Sequence, residues 1–114
     1  MVVAQGDVYW ADLSVPRGSE AGYRRPVVAV QGDALNRSAI QTVVCIPLTG
    51  NLTHASAIGN VLLRASSTGL PRDSVASVPL IFALDRRFLL ERVGRLNRRE
   101  LDLVLNGLDI ILER

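Results

Sequence analysis

The chain has 114 residues, 48% of them hydrophobic, with 13 basic and 11 acidic side chains and a formal net charge of +2. That is chain enough for one core and too little for two, and no run approaches the roughly 18 apolar residues of a membrane-spanning helix. The charge balance alone names no nucleic-acid partner, although all 13 basic residues are arginine, whose planar fork suits phosphate and can equally follow from genome composition. A mean hydropathy of +0.24 is high for so small a unit, so some apolar surface is expected to be shared, most simply with a second copy. The segment Met1 to Asp7 lacks a basic-then-apolar export signal, which makes a cytoplasmic, single-domain protein the expectation over residues 1–114.

In chain order, Gly6 to Leu13 has the aromatic and β-branched content of a strand. Pro26 to Gln31 and Thr42 to Leu48 are apolar runs rich in valine and isoleucine, bounded by Gly, Pro and Asn. Periodicity does not separate buried strand from buried helix in such short runs; their length between turn signals is that of strands. Between the last two, Asp33 to Ser38 predicts one helical turn capped by Asp33. Asn60 to Arg64 and Ser74 to Val78 are further short strands, separated by the turn-rich STGLPRD, Ser67 to Asp73. Asp85 is placed to cap a short helix over Arg86 to Leu89, and Leu90 to Leu96 reads as another strand. Asn97 with Glu100 three residues on opens a terminal helix in a capping-box-like pattern. Leu101, Val104, Leu105, Leu108, Ile111 and Leu112 then recur at helical spacing, so one face is buried. Gly107 interrupts that helix at a cost of about 1 kcal/mol, which close packing would explain.

Cys45 is the single cysteine and His54 the single histidine. No internal disulfide, two-histidine acid–base pair or zinc site of ordinary ligand count can be assembled from them, and TVVCIPL makes Cys45 a buried small hydrophobe. Tyr9 and Trp10 have two readings, as core side chains of a first strand or as stacking platforms for bases.

The most informative stretch is GSEAGYRRPVVAV, Gly18 to Val30. It holds a carboxylate, Glu20, and the paired guanidinium groups of Arg24 and Arg25 in a glycine-containing loop that runs into an apolar strand. Charge is thereby held at the mouth of a rigid element. Together with GDVYWADL upstream and GNVLL, TGLPRDSV and ERVGRL downstream, this segment resembles the MazF/PemK family of toxin endoribonucleases. Members of that family read G-S-E, a few variable residues, R-P and a run of Val/Ile. The resemblance covers nearly the whole chain. It implies a mainly β fold with α, a small SH3-like (CcdB/PemK-type) antiparallel β-barrel closed by a C-terminal helix.

The resemblance also implies the toxin of a type II toxin–antitoxin pair. Such a toxin would be a metal-independent, cofactor-free, sequence-specific endoribonuclease for single-stranded RNA, whether messenger, ribosomal or transfer RNA. It would act as a homodimer with RNA across the dimer interface, opposed by a MazE-like antitoxin, with Ser14 to Arg25 as a flap over the site. Arg25 matches the arginine on which members rely for cleavage, Thr49 the Thr or Ser that works with it, and Glu20 the signature glutamate. Ser19, Arg24, Asn51 and His54 are the neighbouring polar residues expected at the RNA.

The reaction implied is attack of an RNA 2′-hydroxyl on its own phosphate. Arg25 suits stabilisation of the developing charge, and an always-protonated guanidinium suits base catalysis badly. Glu20 is therefore the candidate base and Thr49 a donor to a phosphate oxygen. Apart from the resemblance, Glu20 and Arg25 read as a loop ion pair, Thr49 as a strand-end residue, Arg24 as a solvated charge and His54 as a solvated loop histidine. Where members carry a polar pair whose glutamine shapes the RNA groove, this chain has Pro79 and Leu80, so base reading is expected to differ. Two alternatives stay open: a non-catalytic toxin on the same fold that binds DNA gyrase, and a degraded toxin that binds only its antitoxin.

Overall fold

Alternation along the first strands explains why the sheet has a packed layer on each face. The computed structural model describes residues 2–13 and 23–114. Its strands are β1 (Asp7–Asp12), β2 (Arg24–Ala29), β3 (Thr42–Thr49), β4 (Val61–Leu63), β5 (Ser74–Ala76), β6 (Phe82–Asp85) and β7 (Leu89–Arg95). The helices are α1 (Asp33–Asn36), α2 (Ala65–Thr68) and α3 (Arg98–Ile111), and three short 3-10 turns cover Leu52–Ser56, Val78–Leu80 and Arg86–Phe88. Side chains point alternately to opposite faces. Val8, Val28, Ile46 and Leu48 accordingly join one apolar cluster with Leu63, Val78, Leu101 and Val104. Tyr9, Ala11, Val27, Ala29 and Cys45 join a second one with Val3, Val43 and Leu89.

The strands run antiparallel in the order β4-β5-β3-β2-β1-β7, with β6 also pairing β3. Val8 lies opposite Val28, and Val28 opposite Ile46. β3 changes partner along its length: Thr42 to Cys45 pair with β6, whereas Leu48 and Thr49 pair with Ala76 and Val75 of β5. That switch curls the sheet into a half-barrel, and α3 packs on the first cluster through Leu101 and Val104. This is the mainly β architecture with a C-terminal helix expected above. Gly107 allows α3 its close approach, since a Cβ there would stand 2.4 Å from the Gly59 carbonyl oxygen. Among the described residues, no helix is long and apolar enough to cross a membrane.

Several local expectations change. Asp33 is the first residue of α1 rather than its cap; Gly32 holds the cap position. The Asp33 carboxylate instead accepts from the Gln5 backbone N–H at 2.8 Å and from Asn36 Nδ2 at 3.1 Å, tying the N-terminal segment to α1. Those hydrogen bonds hold its pKa below the ordinary value, the Gln5 bond contributing most. The strand expected over Ser74 to Val78 ends at Ala76, and the apolar stretch VPLIFAL is divided between a 3-10 turn and β6. Pro79 is accommodated because the first residues of a helical turn have no internal use for their N–H groups. Asp85 does cap as expected, accepting from the Arg87 N–H at 3.0 Å. Asn97 also caps α3, accepting from the Glu100 N–H at 2.9 Å. The reciprocal half of that box is missing: Glu100 Oε1 is buried without a hydrogen-bond partner.

Candidate active site

The ends of β1, β2 and β3 nearest Asp12, Arg24 and Thr49 meet at one pole of the sheet. Arg25 lies opposite Ala11 of β1. The β2–β3 ladder ends at the pair of Val27 with Pro47, and Arg25 and Thr49 each lie two residues beyond that pair, at the adjoining ends of β2 and β3. Thr49 in turn pairs with Val75 of β5. Two of the residues that the family resemblance singled out, 24 positions apart in sequence, thus lie at adjoining strand ends, and alternation puts both on the face of Val27 and Cys45.

Each of the two has donors to spare. Arg25 is half-buried; its Nε donates to the Tyr23 hydroxyl, and its guanidinium carbon lies 5.0 Å from the Tyr23 ring centroid. A guanidinium has five N–H donors, so this contact engages Nε, and no other described residue engages the terminal fork. Thr49 Oγ1 accepts from the Asn51 N–H at 3.2 Å. Its own hydroxyl proton is then available for donation. Tyr23 is itself anchored at the base of the β1–β2 hairpin, where its carbonyl accepts from the Leu13 N–H at 2.8 Å.

A cleft of about 240 Å³ opens beside Arg25. It is lined by Trp10, Pro26, Leu48 and Gly50 from the strand ends and by the segment Leu70 to Ser74. Asp73 fixes that segment by accepting from the Ala65 N–H at 2.8 Å, at the start of α2. Arg24, Arg25 and Arg72 form no ion pair with another described residue, although Asp73 lines the same cleft and Asp12 lies opposite Arg24 in the β1–β2 ladder.

The other expected residues divide. Glu20 and Ser19 lie outside the described residues, as does most of the proposed flap. Arg24 is exposed, one residue before Arg25. Asn51 and His54 are exposed just past Thr49; Asn51 Oδ1 accepts from Thr53 N at 3.2 Å and Thr53 Oγ1 at 2.7 Å, opening the 3-10 turn that carries His54. Trp10 and Tyr9 separate by face: Tyr9 is buried in the second cluster, while Trp10 is partly buried and lines the cleft. Cys45 is buried as expected, and burial pushes its thiol up to about 12. Tyr23, Arg72 and Asp73 were not singled out by sequence. Tyr23 is masked by its place inside the signature, and Arg72 and Asp73 by a segment that reads only as a turn. Among the described residues, no group of three or more His, Cys, Asp or Glu is gathered.

Comparison with known proteins gives the family. The model of the PemK-like, MazF-like toxins of type II toxin–antitoxin systems matches residues 4–112. Endoribonuclease MazF2 of Mycobacterium bovis is 41% identical over 113 residues, covering 99% of each chain. Endoribonuclease EndoA of Bacillus subtilis is 36% identical over 112 residues, covering 98% of this chain and 96% of its own. Among solved structures, a MazE–MazF crystal structure from Deinococcus radiodurans superposes with a TM-score of 0.81 at 23% identity, covering 99% of this chain and 97% of that one. That likeness speaks to the fold, and the family follows from the sequence match along nearly the full length: the chain belongs to the PemK-like, MazF-like toxins of type II toxin–antitoxin systems.

Proposed function

We propose that the protein is an endoribonuclease that cleaves single-stranded RNA through the RNA's own 2′-hydroxyl, with Arg25 and Thr49 at the reacting phosphate. The observation that carries this reading is their adjoining places at the ends of β2 and β3, each with donors that no other described residue engages, in a chain whose relatives of matching length are named endoribonucleases. In the step, the 2′-oxygen forms a bond to phosphorus while the bond from phosphorus to the 5′-oxygen breaks. The products are a 2′,3′-cyclic phosphate and a free 5′-hydroxyl. The Arg25 fork binds two phosphate oxygens as negative charge builds on them, and the Thr49 hydroxyl donates to one of the two. The 2′-hydroxyl proton passes to a base, the role assigned to Glu20, and a proton is returned to the leaving 5′-oxygen.

The chain acts as a single domain, in the cytoplasm, as a homodimer that shares RNA between protomers. A toxin of a type II pair has an antitoxin, and an acidic, MazE-like segment that lies over Arg24 and Arg25 would occupy the surface that phosphates need. Mapping RNA ends after incubating total RNA with the purified protein tests the reading. Newly formed 5′-hydroxyl ends that recur at one short sequence are expected. New ends carrying 5′-phosphate, or no new ends at all, would refute it.

A further inference from the structure

At the end of the sheet away from Arg25, the edge strand β7 gathers cations that the reaction does not use. In the β1–β7 ladder Asp7 lies opposite Arg95 and Tyr9 opposite Arg92, and β7 is the last strand of the sheet. Cross-strand partners share a face, so both arginines stand on the face of Tyr9, at the rim of the second apolar cluster. Arg86 reaches the same place from the turn before β7. It acts with Arg92 and Arg95 on the Tyr9 phenol, whose pKa burial and then Asp7 hold above the ordinary value. Arg37, at the end of α1, acts with Arg95 on Asp33 and so lies at the same pole.

The acids at this pole are fewer and already engaged. Asp7 is fully buried and takes Arg95 Nε at 2.7 Å and the Ala4 N–H at 2.9 Å. Asp33 is held by the Gln5 N–H and Asn36, and Asp85, beside Arg86, caps its turn and pairs with Arg87 at 3.8 Å. The guanidinium groups of Arg37, Arg86, Arg92 and Arg95 therefore outnumber the carboxylates of Asp7 and Asp33. Arg95 is pinned through Nε, and Arg86 through Nη2 on the Asn36 carbonyl at 2.6 Å, while their remaining nitrogens engage no described residue. Arg86 Nε is buried without an acceptor, so that charge is only partly solvated and gains from an anion nearby. Side chains fixed at one nitrogen and open at the others form a preorganised set of donors, and those of Arg92 and Arg95 are 51% and 56% exposed.

Planar forks suit phosphate, and cations spread over an edge strand, a turn and a helix end suit a chain of phosphates better than one small anion. The sheet face that carries Arg92 and Arg95 is also the face of Arg25 and Thr49. From Arg25, opposite Ala11, to Arg95, opposite Asp7, is about 13 Å along the strands and about 10 Å across two strand spacings. A strand with one phosphate at Arg25 reaches this pole only with nucleotides several positions from the cut. We propose, resting on the nuclease reading above, that the pole of Arg37, Arg86, Arg92 and Arg95 is a second phosphate-binding surface, which holds the RNA backbone several nucleotides from the scissile bond. Contacts to phosphate carry no sequence information, so this surface favours long RNA over short without selecting bases.

The test titrates the full-length protein with two dye-labelled RNAs made uncleavable by 2′-deoxyribose at the mapped cut position. One just covers the cleaved sequence, and the other is extended by single-stranded nucleotides on both sides. Extension is expected to tighten binding about tenfold at low salt and to steepen the salt dependence of log Kd by about 0.7 per phosphate engaged. Arg92→Ala, which leaves Arg95 on Asp7, is expected to cut that gain to about threefold or less. Arg37→Ala, at an exposed position, is the second variant and should also lower it. Arg114→Ala removes the same charge beyond α3, at a side chain 74% exposed, and should keep the full gain. No gain on extension, or a gain that both Arg92→Ala and Arg37→Ala retain, would overturn the second surface and leave the nuclease reading standing. An equal loss in Arg114→Ala would overturn it too, by tracing the gain to net charge. Poly-glutamate that loses affinity in Arg92→Ala while extended RNA keeps its gain would assign the pole to an acidic protein instead. Protein that neither binds the short RNA nor cuts total RNA would refute the nuclease reading, and this surface with it.

Discussion

The two ends of the central strands use arginine in opposite ways. At one end Asp7 is fully buried and accepts from Arg95 Nε at 2.7 Å and from the Ala4 N–H at 2.9 Å, with Arg92 at 3.6 Å. The Asp7 carboxylate raises the Arg95 pKa further, chiefly through that hydrogen bond. At the other end Arg24, Arg25 and Arg72 have no carboxylate partner among the described residues. A buried acid turns the guanidinium above it into part of the fold. At the pole of Arg25, Thr49 and the cleft no such ion pair forms among the described residues, which is what the proposed phosphate contacts require.

The largest effect should come from Arg25→Ala. Losing one preorganised contact to the transition state is expected to lower RNA cleavage by about 10²-fold or more. Its melting temperature should stay near that of the parent, because the side chain is only half-buried and its one side-chain hydrogen bond among the described residues is to Tyr23. Arg25→Lys should recover little, since a single ammonium cannot reproduce the fork. Asp7→Ala should behave in the reverse manner. It is expected to cost about 2 kcal/mol in urea denaturation, because a hydrogen-bonded buried charge is lost while Arg92 and Arg95, both half exposed, turn to water. Cleavage per folded molecule should persist. Parallel losses of stability and activity in both variants would erase the contrast between the poles.

Gly107→Ala probes the packing that belongs to neither pole. Helix propensity alone favours alanine by about 1 kcal/mol. The added Cβ would meet the Gly59 carbonyl oxygen at 2.4 Å and Val78 Cγ2 at 3.2 Å, so the change is instead expected to destabilise by about 1 kcal/mol or more. A stabilised variant would show that α3 does not seat on that backbone.

The smallest effect is a pH dependence from Cys45, between the poles on β3. Its thiol is pushed from the ordinary 9.0 to about 12 by burial. Below pH 9 it is neutral in both folded and unfolded chains and contributes no pH dependence. As pH rises past 9, only the unfolded chain ionises, so stability falls at up to about 1.4 kcal/mol per pH unit until about pH 12. Cys45→Ala should flatten that part of the curve, read from urea midpoints at pH 8 and 10. A native thiol that reacts readily with a disulfide reagent at pH 8 would contradict the burial.

Much of the fold was legible because its signals are local. Valine and isoleucine runs between turn residues mark β2 and β3, and the Asn97 cap with its leucine spacing marks α3. β6 was not legible: Phe82–Asp85 follows Val78–Leu80 without a polar break, and only tertiary pairing with Thr42 to Cys45 separates strand from turn. The same limit applies at the site. Arg25 and Thr49 stand out through motif resemblance, and the adjoining of their strand ends depends on a β2–β3 register that no short segment specifies. The cleft draws on residues 10, 25, 26, 48, 50 and 70–74, brought together only by the curl of the sheet, so no short segment marks it in sequence. Pro79 and Leu80, where relatives' polar pair is expected, form a 3-10 turn with Leu80 exposed to 64%, a surface open for a partner or substrate.

The most direct test of the central claim uses two RNAs built on the mapped cleavage sequence, identical except that one carries 2′-deoxyribose at the cut position. Both are incubated with the protein in excess EDTA under single-turnover conditions. If the RNA's own hydroxyl is the nucleophile and Arg25 and Thr49 supply the charge stabilisation, the all-ribose strand is cut to a 2′,3′-cyclic phosphate and a 5′-hydroxyl. The deoxy strand then remains intact. Cleavage of both strands, or cleavage of the ribose strand only once magnesium is restored, would contradict that mechanism.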